Sequence, residues 1–239
     1  FCSGYSIARM RISRFFRRVR AVLVYLPLAI LYIHLVFVQL TVIPLYLYKY
    51  IRPPVTGIQL YRSVFFRWPT EAQRYLPLEK VPARIRTMII RVEDGTFYQH
   101  HGVLPAAIKH AWKLNKNLGK PVYGGSTITM QTARTLFLVP EKSYLRKYLE
   151  VIIAFEMEWI LGKDRIFELY LNNAEWGKGV YGIEAASYYH YKKSVSKLST
   201  EQAIRLVTLL SSPIKYGPYN LNKNAILAQR YAYLRKRFE

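Results

Sequence analysis

The stretch RVEDGTFYQHHG, residues 91–102, places two adjacent carboxylates, Glu93 and Asp94, between an apolar run and a turn rich in histidine. The preceding residues, 79–92, carry apolar side chains at intervals of three and four, which predicts a helix that ends at or just before Glu93. We interpret Glu93 as a catalytic base and Asp94 as its support. His100 has a structural interpretation, because a lone loop histidine usually satisfies local hydrogen bonds.

Composition and charge narrow the class of protein. The 239 residues are 51% hydrophobic and 15% aromatic, which excludes a disordered chain and predicts one or two folded domains. The formal net charge is +22, and the first 52 residues contain no acidic side chain. Such a charge favours an anionic partner, namely phospholipid head groups, pyrophosphate or nucleic acid, although a solvated basic surface gives the same balance. The single cysteine, Cys2, excludes an intramolecular disulfide and a cysteine-based metal site.

Residues 21–48 carry no formal charge and predict a transmembrane helix. At about 1.5 Å per residue this run exceeds the ~30 Å hydrocarbon core of a bilayer. A buried helix of a soluble protein is the alternative, and Pro27 and Pro44 can kink or delimit the helix. Arginines precede the run at positions 9, 11, 14, 17, 18 and 20, which predicts a basic cytoplasmic tail over residues 1–20 and an external position for the rest of the chain.

The segment after the span is predicted to be a linker, residues 49–61, which Arg52-Pro53-Pro54 opens by ending the helix. A domain follows over residues 62–239. Residues 59–77 show no clean hydrophobic period and are predicted to be irregular. Residues 104–118 form a basic amphipathic helix, which lies either on an anionic bilayer or, as an ordinary surface helix, with one face on the core.

A glycine-rich loop, residues 119–125, precedes a helix that Ser126 or Thr127 can cap and that ends near residue 138. The free N–H groups and positive dipole end of such a helix suit phosphate oxygens. Thr127, Gln131 and Arg134 follow at i, i+4 and i+7 and are predicted to share one face.

Further helices are predicted over residues 143–161, 164–172, 199–213 and 227–238. In the first of these, Arg146, Lys147 and Glu150 lie one turn apart and can converge, although such sets are more often surface salt bridges. The glycines at 177, 179 and 182 match G-x-G-x-x-G, but a helical run rather than a strand precedes them, so we reject a dinucleotide site. No long strand pattern recurs, and the fold is predicted to be mainly α-helical.

Five motifs occur in a fixed order, and together they resemble the signatures of the monofunctional biosynthetic peptidoglycan glycosyltransferases, glycosyltransferase family 51. The motifs are E-D-x-x-F-x-x-H-x-G from Glu93, G-G-S-T-I-x-x-Q-x-x-R from Gly124, R-K-x-x-E-x-x-x-A-x-x-x-E from Arg146, K-x-x-I-x-E-x-Y-L-N from Lys163 and G-x-G-x-Y-G-I-E-A-A from Gly177. The resemblance covers residues 62–220. One departure is Arg134, where the family usually has Lys; the charge is kept, but a guanidinium binds as a planar fork.

The resemblance implies a two-lobed, lysozyme-like helical domain that polymerises lipid II into peptidoglycan strands with inversion and expels undecaprenyl pyrophosphate. It implies Glu93 and Glu150 as the essential carboxylates and the following residues as the substrate and pyrophosphate site: Ser126, Thr127, Gln131, Arg134, Arg146 and Lys147. Residues in supporting roles would be Asp94, Phe97, His100, Gly179, Tyr181 and Glu184. A divalent cation, Mg²⁺ or Mn²⁺, can assist, and no organic cofactor is implied.

The expected partners are lipid II, the growing glycan strand, membrane lipids and other cell-wall synthesis proteins, without nucleic acid. The expected location is the bacterial inner membrane, single-pass, with the N-terminus inside and the enzyme domain in the periplasm. Two alternatives stay open: a lytic transglycosylase or lysozyme-like enzyme, in which Glu93 acts as an acid, and a non-enzymatic membrane-tethered protein that binds anions.

Overall fold

The computed structural model describes the backbone of residues 3–119, 124–141 and 143–239, with the side chains of these residues except 3–19 and 118. Cys2 lies outside the described residues. Within them the chain forms ten α-helices and one two-stranded sheet, which confirms the predicted mainly α-helical class. The chain divides into two compact units, Phe1–Pro44 and Leu45–Glu239.

The helices are α1 (Ser3–Tyr48), α2 (Gly57–Phe66), α3 (Ala83–Glu93), α4 (Pro105–Leu118), α5 (Ile128–Phe137), α6 (Tyr144–Ile160), α7 (Lys163–Asn173), α8 (Ile183–Tyr191), α9 (Thr200–Leu209) and α10 (Ala225–Phe238). The strands are β1 (Glu175–Gly177) and β2 (Val180–Tyr181), which pair antiparallel. Short 3-10 turns occupy Leu78–Lys80, Phe97–Gln99, Val195–Lys197 and Leu221–Lys223.

Helix α1 contains the predicted membrane span. Its segment Arg20–Tyr48 is long and apolar enough to cross a bilayer, and most of its large apolar side chains are exposed. Pro27 and Pro44 lie inside the helix rather than at its ends. The helix also includes the predicted basic tail from Ser3 onward. The chain therefore has one apolar N-terminal helix that fits a single-pass membrane anchor.

Helix α2 corrects the prediction of irregular structure over residues 59–66, and it overlaps the predicted linker, which runs to residue 61. Residues 67–77 form neither helix nor strand, as predicted. Thr56 begins this helix with a capping box, in which the Gln59 amide N–H donates to Thr56 Oγ1 (3.3 Å) and the Thr56 N–H donates to Gln59 Oε1 (2.8 Å). The sequence GIQLYRSVFF has large apolar side chains on both its buried and its exposed faces, with Ile58 buried and Phe65 72% exposed. The hydrophobic pattern of this segment therefore shows no single apolar stripe along the helix.

The core of the second unit is built around α5, which packs against α2, α6 and α7. Helix α9 in turn contacts α3 and α10. Helix α3 starts at Ala83, four residues later than predicted, because Pro82 lacks an amide hydrogen and restricts the residue before it. Side chains that are fully buried in this core include Ile85, Met88, Ile89, Ile128, Ala133, Ile153, Phe167, Leu171, Ile204 and Leu206.

Helix α7 fastens the segment that leads into α3. Glu168 accepts hydrogen bonds from the Leu78 N–H (2.8 Å) and from the Tyr75 hydroxyl. The Asn172 side chain accepts from the Leu76 N–H (2.7 Å) and donates to the Leu76 carbonyl (2.9 Å). These contacts give Glu168 and Asn172 a structural role, and they hold the entrance to α3 in place.

Candidate active site

Glu93 is the last residue of α3 and lines an open cavity of about 760 Å³. Its side chain is 11% exposed, so the carboxylate meets the cavity without being fully solvated. The walls come from α3, α5, α10 and the segments on either side of them, and they include Arg91, Ser126, Gln131, Arg134, Arg230 and Tyr233. A carboxylate thus faces a groove rich in arginine.

Among the residues that the structure describes, two side chains donate hydrogen bonds to the Glu93 carboxylate. Gln131 Nε2 donates to Oε2 at 3.1 Å, and Arg230 forms an ion pair with Oε1. The Tyr170 hydroxyl donates to Gln131 Oε1 (3.3 Å), which orients the amide so that its nitrogen faces Glu93. Burial, reinforced by the nearby Glu93 charge, raises the pKa of Tyr170 well above its ordinary value. The Tyr170 hydroxyl therefore stays protonated at neutral pH and keeps donating.

Arg230 also lines the candidate site, although no motif in the sequence marks it. It lies 137 positions after Glu93, in a segment that was predicted only to be a basic terminal helix. Nothing in its neighbourhood marks one arginine among the several of α10, because its significance comes from tertiary packing rather than from local spacing.

Asp94 lies next to Glu93 but has a different environment. It is 7% exposed, and its Oδ2 accepts from His100 Nε2 (2.9 Å) and from the Ile128 N–H (3.0 Å). His100 Nδ1 accepts from the Gly102 N–H at 3.1 Å, which places the ring proton on Nε2, toward Asp94. Asp94 and His100 therefore form an internal hydrogen-bond network that joins the end of α3 to the start of α5.

Two of the amides at the N-terminus of α5, which the sequence predicted to be free, are bound by side chains. The Ile128 N–H is bound by Asp94, and the Met130 N–H donates to Thr127 Oγ1 at 3.1 Å. The Thr127 hydroxyl itself donates to the Gly102 carbonyl at 2.5 Å. The positive end of the helix dipole is thus occupied by the carboxylate of Asp94. Of the two predicted capping residues, Thr127 is the one that caps α5. Its hydroxyl makes internal hydrogen bonds with Met130 and Gly102.

A second carboxylate, Glu150, is surrounded by cations. Its side chain has no exposed surface; Arg146 and Lys147 both pair with it, the latter at 2.7 Å. Arg134 Nη1 lies 3.8 Å from Glu150 Oε1. Burial lowers the pKa of Lys147, and the Glu150 carboxylate opposes that shift. The predicted convergence of Arg146, Lys147 and Glu150 is confirmed, and Glu150 holds these cations in place.

Arg134 and Ser126 connect the two carboxylate centres. Lys147 Nζ donates to Ser126 Oγ at 2.6 Å, and Ser126 lines the cavity that Glu93 faces. Arg134 lines that cavity and also a second one of about 340 Å³, to which Arg146 contributes. With 31% of its side chain exposed, Arg134 presents its guanidinium to both spaces. Arg134 thus lines the cavity that the predicted base faces and, 3.8 Å from Glu150, also belongs to the cluster of predicted cations.

Comparison with known proteins decides the family. A family model described as Transglycosylase matches residues 62–238. The chain belongs to the transglycosylase family. Among its relatives, the biosynthetic peptidoglycan transglycosylase of Paraburkholderia xenovorans (strain LB400) is 45% identical over 162 residues, which are 65% of this chain and 67% of the relative. The protein of the same description from Burkholderia multivorans (strain ATCC 17616 / 249) is 44% identical over 168 residues, covering 68% and 69%. The chain is accordingly a glycosyltransferase.

Other predicted site residues of this transglycosylase serve packing. Phe97 is fully buried, with its ring 5.7 Å from that of Phe167 and Lys163 Nζ 4.4 Å from its centroid. The aromatic ring therefore anchors the loop after Asp94. Its role is to hold the 3-10 turn Phe97–Gln99 against the core.

The glycine-rich hairpin of the transglycosylase is also internal. Gly179 has φ +75°, and a Cβ there would lie 2.1 Å from the Pro69 carbonyl oxygen, so only glycine fits. Tyr181 is 1% exposed, and Glu184 accepts from the Val195 N–H at 2.8 Å. These contacts give the three residues a place in packing, and the supporting role in catalysis that the resemblance implies for them stays a prediction.

The transglycosylase has no group of three or more His, Cys, Asp or Glu side chains poised for a metal within the residues the structure describes. The site carboxylates already have partners: Glu150 is neutralised by cations, and Asp94 by His100 and an amide. The residues present therefore do not form a ready divalent-cation site. The dependence on Mg²⁺ or Mn²⁺ stays a prediction.

Proposed function

We propose that this chain polymerises lipid II into peptidoglycan glycan strands. The observation that carries the proposal is the groove in which Glu93 faces Arg134, with Arg134 in turn 3.8 Å from Glu150. The description of the relatives as biosynthetic peptidoglycan transglycosylases supports the same reaction. A base and a fixed cationic cluster in one groove suit glycosyl transfer from a pyrophosphate donor.

In the proposed step, the 4-hydroxyl of one membrane-bound disaccharide attacks the anomeric carbon of another. Glu93 accepts the hydroxyl proton as the new C–O bond forms. The bond from the anomeric carbon to the pyrophosphate oxygen breaks with its electron pair, and undecaprenyl pyrophosphate leaves with inversion at carbon. A positioned base accelerates such a step roughly 100- to 10,000-fold.

The leaving pyrophosphate needs stabilisation of negative charge rather than a proton. Arg134, Arg146 and Lys147 supply fixed positive charge on the side of the groove next to Glu150. Because Glu150 already holds them in place, little reorganisation is needed as charge develops on the leaving group. Gln131 and Ser126 line the path between the cations and Glu93.

The proposed substrate is lipid-linked, which agrees with an N-terminal helix able to span a bilayer. The proposed arrangement is a single pass in the bacterial inner membrane with residues 62–239 in the periplasm, because arginines cluster before the span. The growing strand and membrane lipids are the proposed partners, together with other cell-wall synthesis proteins. Reporter fusions at each end of the full chain would test the orientation.

The test is a polymerisation assay with labelled lipid II in detergent or vesicles. Glu93→Gln keeps the size of the side chain and one of its two acceptor oxygens but cannot accept the proton, so we expect a loss of at least ~100-fold in turnover. Glu79→Gln, at an exposed residue before α3, is the matched control and should match the wild type. Near-normal turnover of Glu93→Gln would contradict the base assignment. Release of muropeptides from purified sacculi, without polymer from lipid II, would instead indicate a cleaving enzyme.

A further inference from the structure

Arg230 contacts the proposed base from the opposite end of the chain. Its Nη2 pairs with Glu93 Oε1 and also donates to the Val92 carbonyl at 2.8 Å. Its side chain is 13% exposed, and it lines the same cavity as Glu93. The guanidinium therefore binds the last turn of α3 at two points, one on the backbone and one on the carboxylate.

The helix that carries Arg230 is held firmly. Leu227 and Leu234 of α10 are buried. The Tyr231 hydroxyl donates to Glu201 Oε1 at 2.7 Å and accepts from Arg205 at 3.3 Å, which ties α10 to α9. Since α9 also contacts α3, the guanidinium is presented to Glu93 from a backbone with fixed position.

The donors leave room for a substrate. Gln131 binds one carboxylate oxygen of Glu93 and Arg230 binds the other. An ionised carboxylate has about four lone-pair positions, so two donors fix its plane while positions remain for a hydroxyl in the cavity. A base works only when it lies within hydrogen-bond reach of the proton and is correctly oriented.

We propose that Arg230 is a positioning residue for Glu93: it holds the carboxylate in the orientation in which it accepts the proton of the incoming hydroxyl. The inference rests on the proposed function of Glu93. It assigns to α10 a part in the reaction, although α10 lies outside the five motifs.

A merely structural role predicts a different result. Through Val92, Arg230 also satisfies a terminal carbonyl of α3, and loss of this contact would lower stability rather than the rate of the folded enzyme. A role in binding substrate would raise KM and leave kcat unchanged. Positioning of the base lowers kcat, and a small guanidinium ion added to the solution can replace the missing group.

The experiment uses the full-length chain and labelled lipid II, with Arg230→Ala, Arg230→Lys and the control Arg237→Ala, which alters an exposed arginine on the same helix. We expect kcat of Arg230→Ala to fall about 100-fold with KM within about 3-fold of the wild type, as for a misplaced catalytic group. Added methylguanidinium should raise the kcat of Arg230→Ala at least ~10-fold. The kcat of Arg230→Lys should lie between those of the wild type and Arg230→Ala, and the kcat of Arg237→Ala should match the wild type.

Three results would overturn the inference: an unchanged kcat in Arg230→Ala, a change in KM alone, or a fall in kcat that methylguanidinium does not repair. Glu93→Gln in the same assay separates this inference from the proposed function. If Glu93→Gln is inactive and Arg230→Ala is normal, only the role of Arg230 fails. If Glu93→Gln is active, the base assignment fails as well.

Discussion

Glu93 and Asp94 are neighbours in the chain, yet their carboxylates lie in opposite kinds of environment. Glu93 faces a cavity of about 760 Å³, whereas Asp94 is 7% exposed and bound by His100 and the Ile128 N–H. With Glu93 as the proposed base, environment rather than residue type divides the pair between chemistry and folding.

The backbone accounts for the divergence. Glu93 is the last residue of α3, and Asp94 follows with φ −162° and ψ 77°, outside the helical region. The change of direction at this one residue turns Asp94 toward the start of α5 while Glu93 stays on the groove. The variants below sharpen this comparison.

The largest expected effect is on stability. Asp94→Ala leaves the Ile128 N–H and His100 without their buried partner, so we expect a loss of about 3 kcal/mol in the free energy of unfolding. Denaturant unfolding measures this, with Glu79→Ala as an exposed control and Asp94→Asn as a partial rescue. A change no larger than that of Glu79→Ala would show that Asp94 is not needed for folding.

The next effect concerns the cations that face Glu93. Arg134→Ala removes a charge from the groove, and we expect a fall of about 100-fold in kcat/KM, similar to the loss of one donor that stabilises a developing anion. Arg134→Lys restores the charge and should stay within about 10-fold of the wild type, since only the planar fork is lost. Unchanged lipid II kinetics in Arg134→Ala would show that this face of α5 does not touch the pyrophosphate.

The smallest effect tests whether a third carboxylate, Glu168, resembles Asp94 in serving the fold through internal hydrogen bonds. Burial and its hydrogen bond to Glu168 raise the pKa of Tyr75 to about 12, against 10.0 ordinarily. The folded chain therefore keeps the Tyr75 hydroxyl proton at a pH where the unfolded chain loses it. The contribution of Tyr75 to the free energy of unfolding is complete below pH 10 and is lost between pH 10 and about 12.

Tyr75→Phe should lower the free energy of unfolding by about 1 kcal/mol at neutral pH. It should also make the free energy of unfolding fall less steeply above pH 10. Unfolding curves at pH 8 and pH 11 measure both, with Tyr144→Phe, at a ring 98% exposed, as the control. An equally steep alkaline loss in Tyr75→Phe would place the titrating group elsewhere.

Local spacing was enough to predict much of this molecule. Helical periodicity located α3 to α7 to within a few residues, and the i, i+3 and i+4 intervals predicted that Arg146, Lys147 and Glu150 meet. Both are properties of a single helix, which a sequence displays directly.

Contacts between distant segments could not be predicted in this way. The pair of Arg230 with Glu93 and the occupation of the α5 N-terminus by Asp94 depend on how helices pack, so no interval in the sequence marks them. Helix α2 was missed for another reason: its apolar side chains point both inward and outward, and its capping box at Thr56 and Gln59 was its clearest local signal.

The most direct test of the division between neighbouring carboxylates measures lipid II turnover and the free energy of unfolding for Glu93→Gln and Asp94→Ala side by side. We expect Glu93→Gln to lose at least ~100-fold in turnover while its unfolding changes far less than that of Asp94→Ala. A Glu93→Gln enzyme with near-normal turnover, or one that loses activity only because it unfolds, would contradict the account.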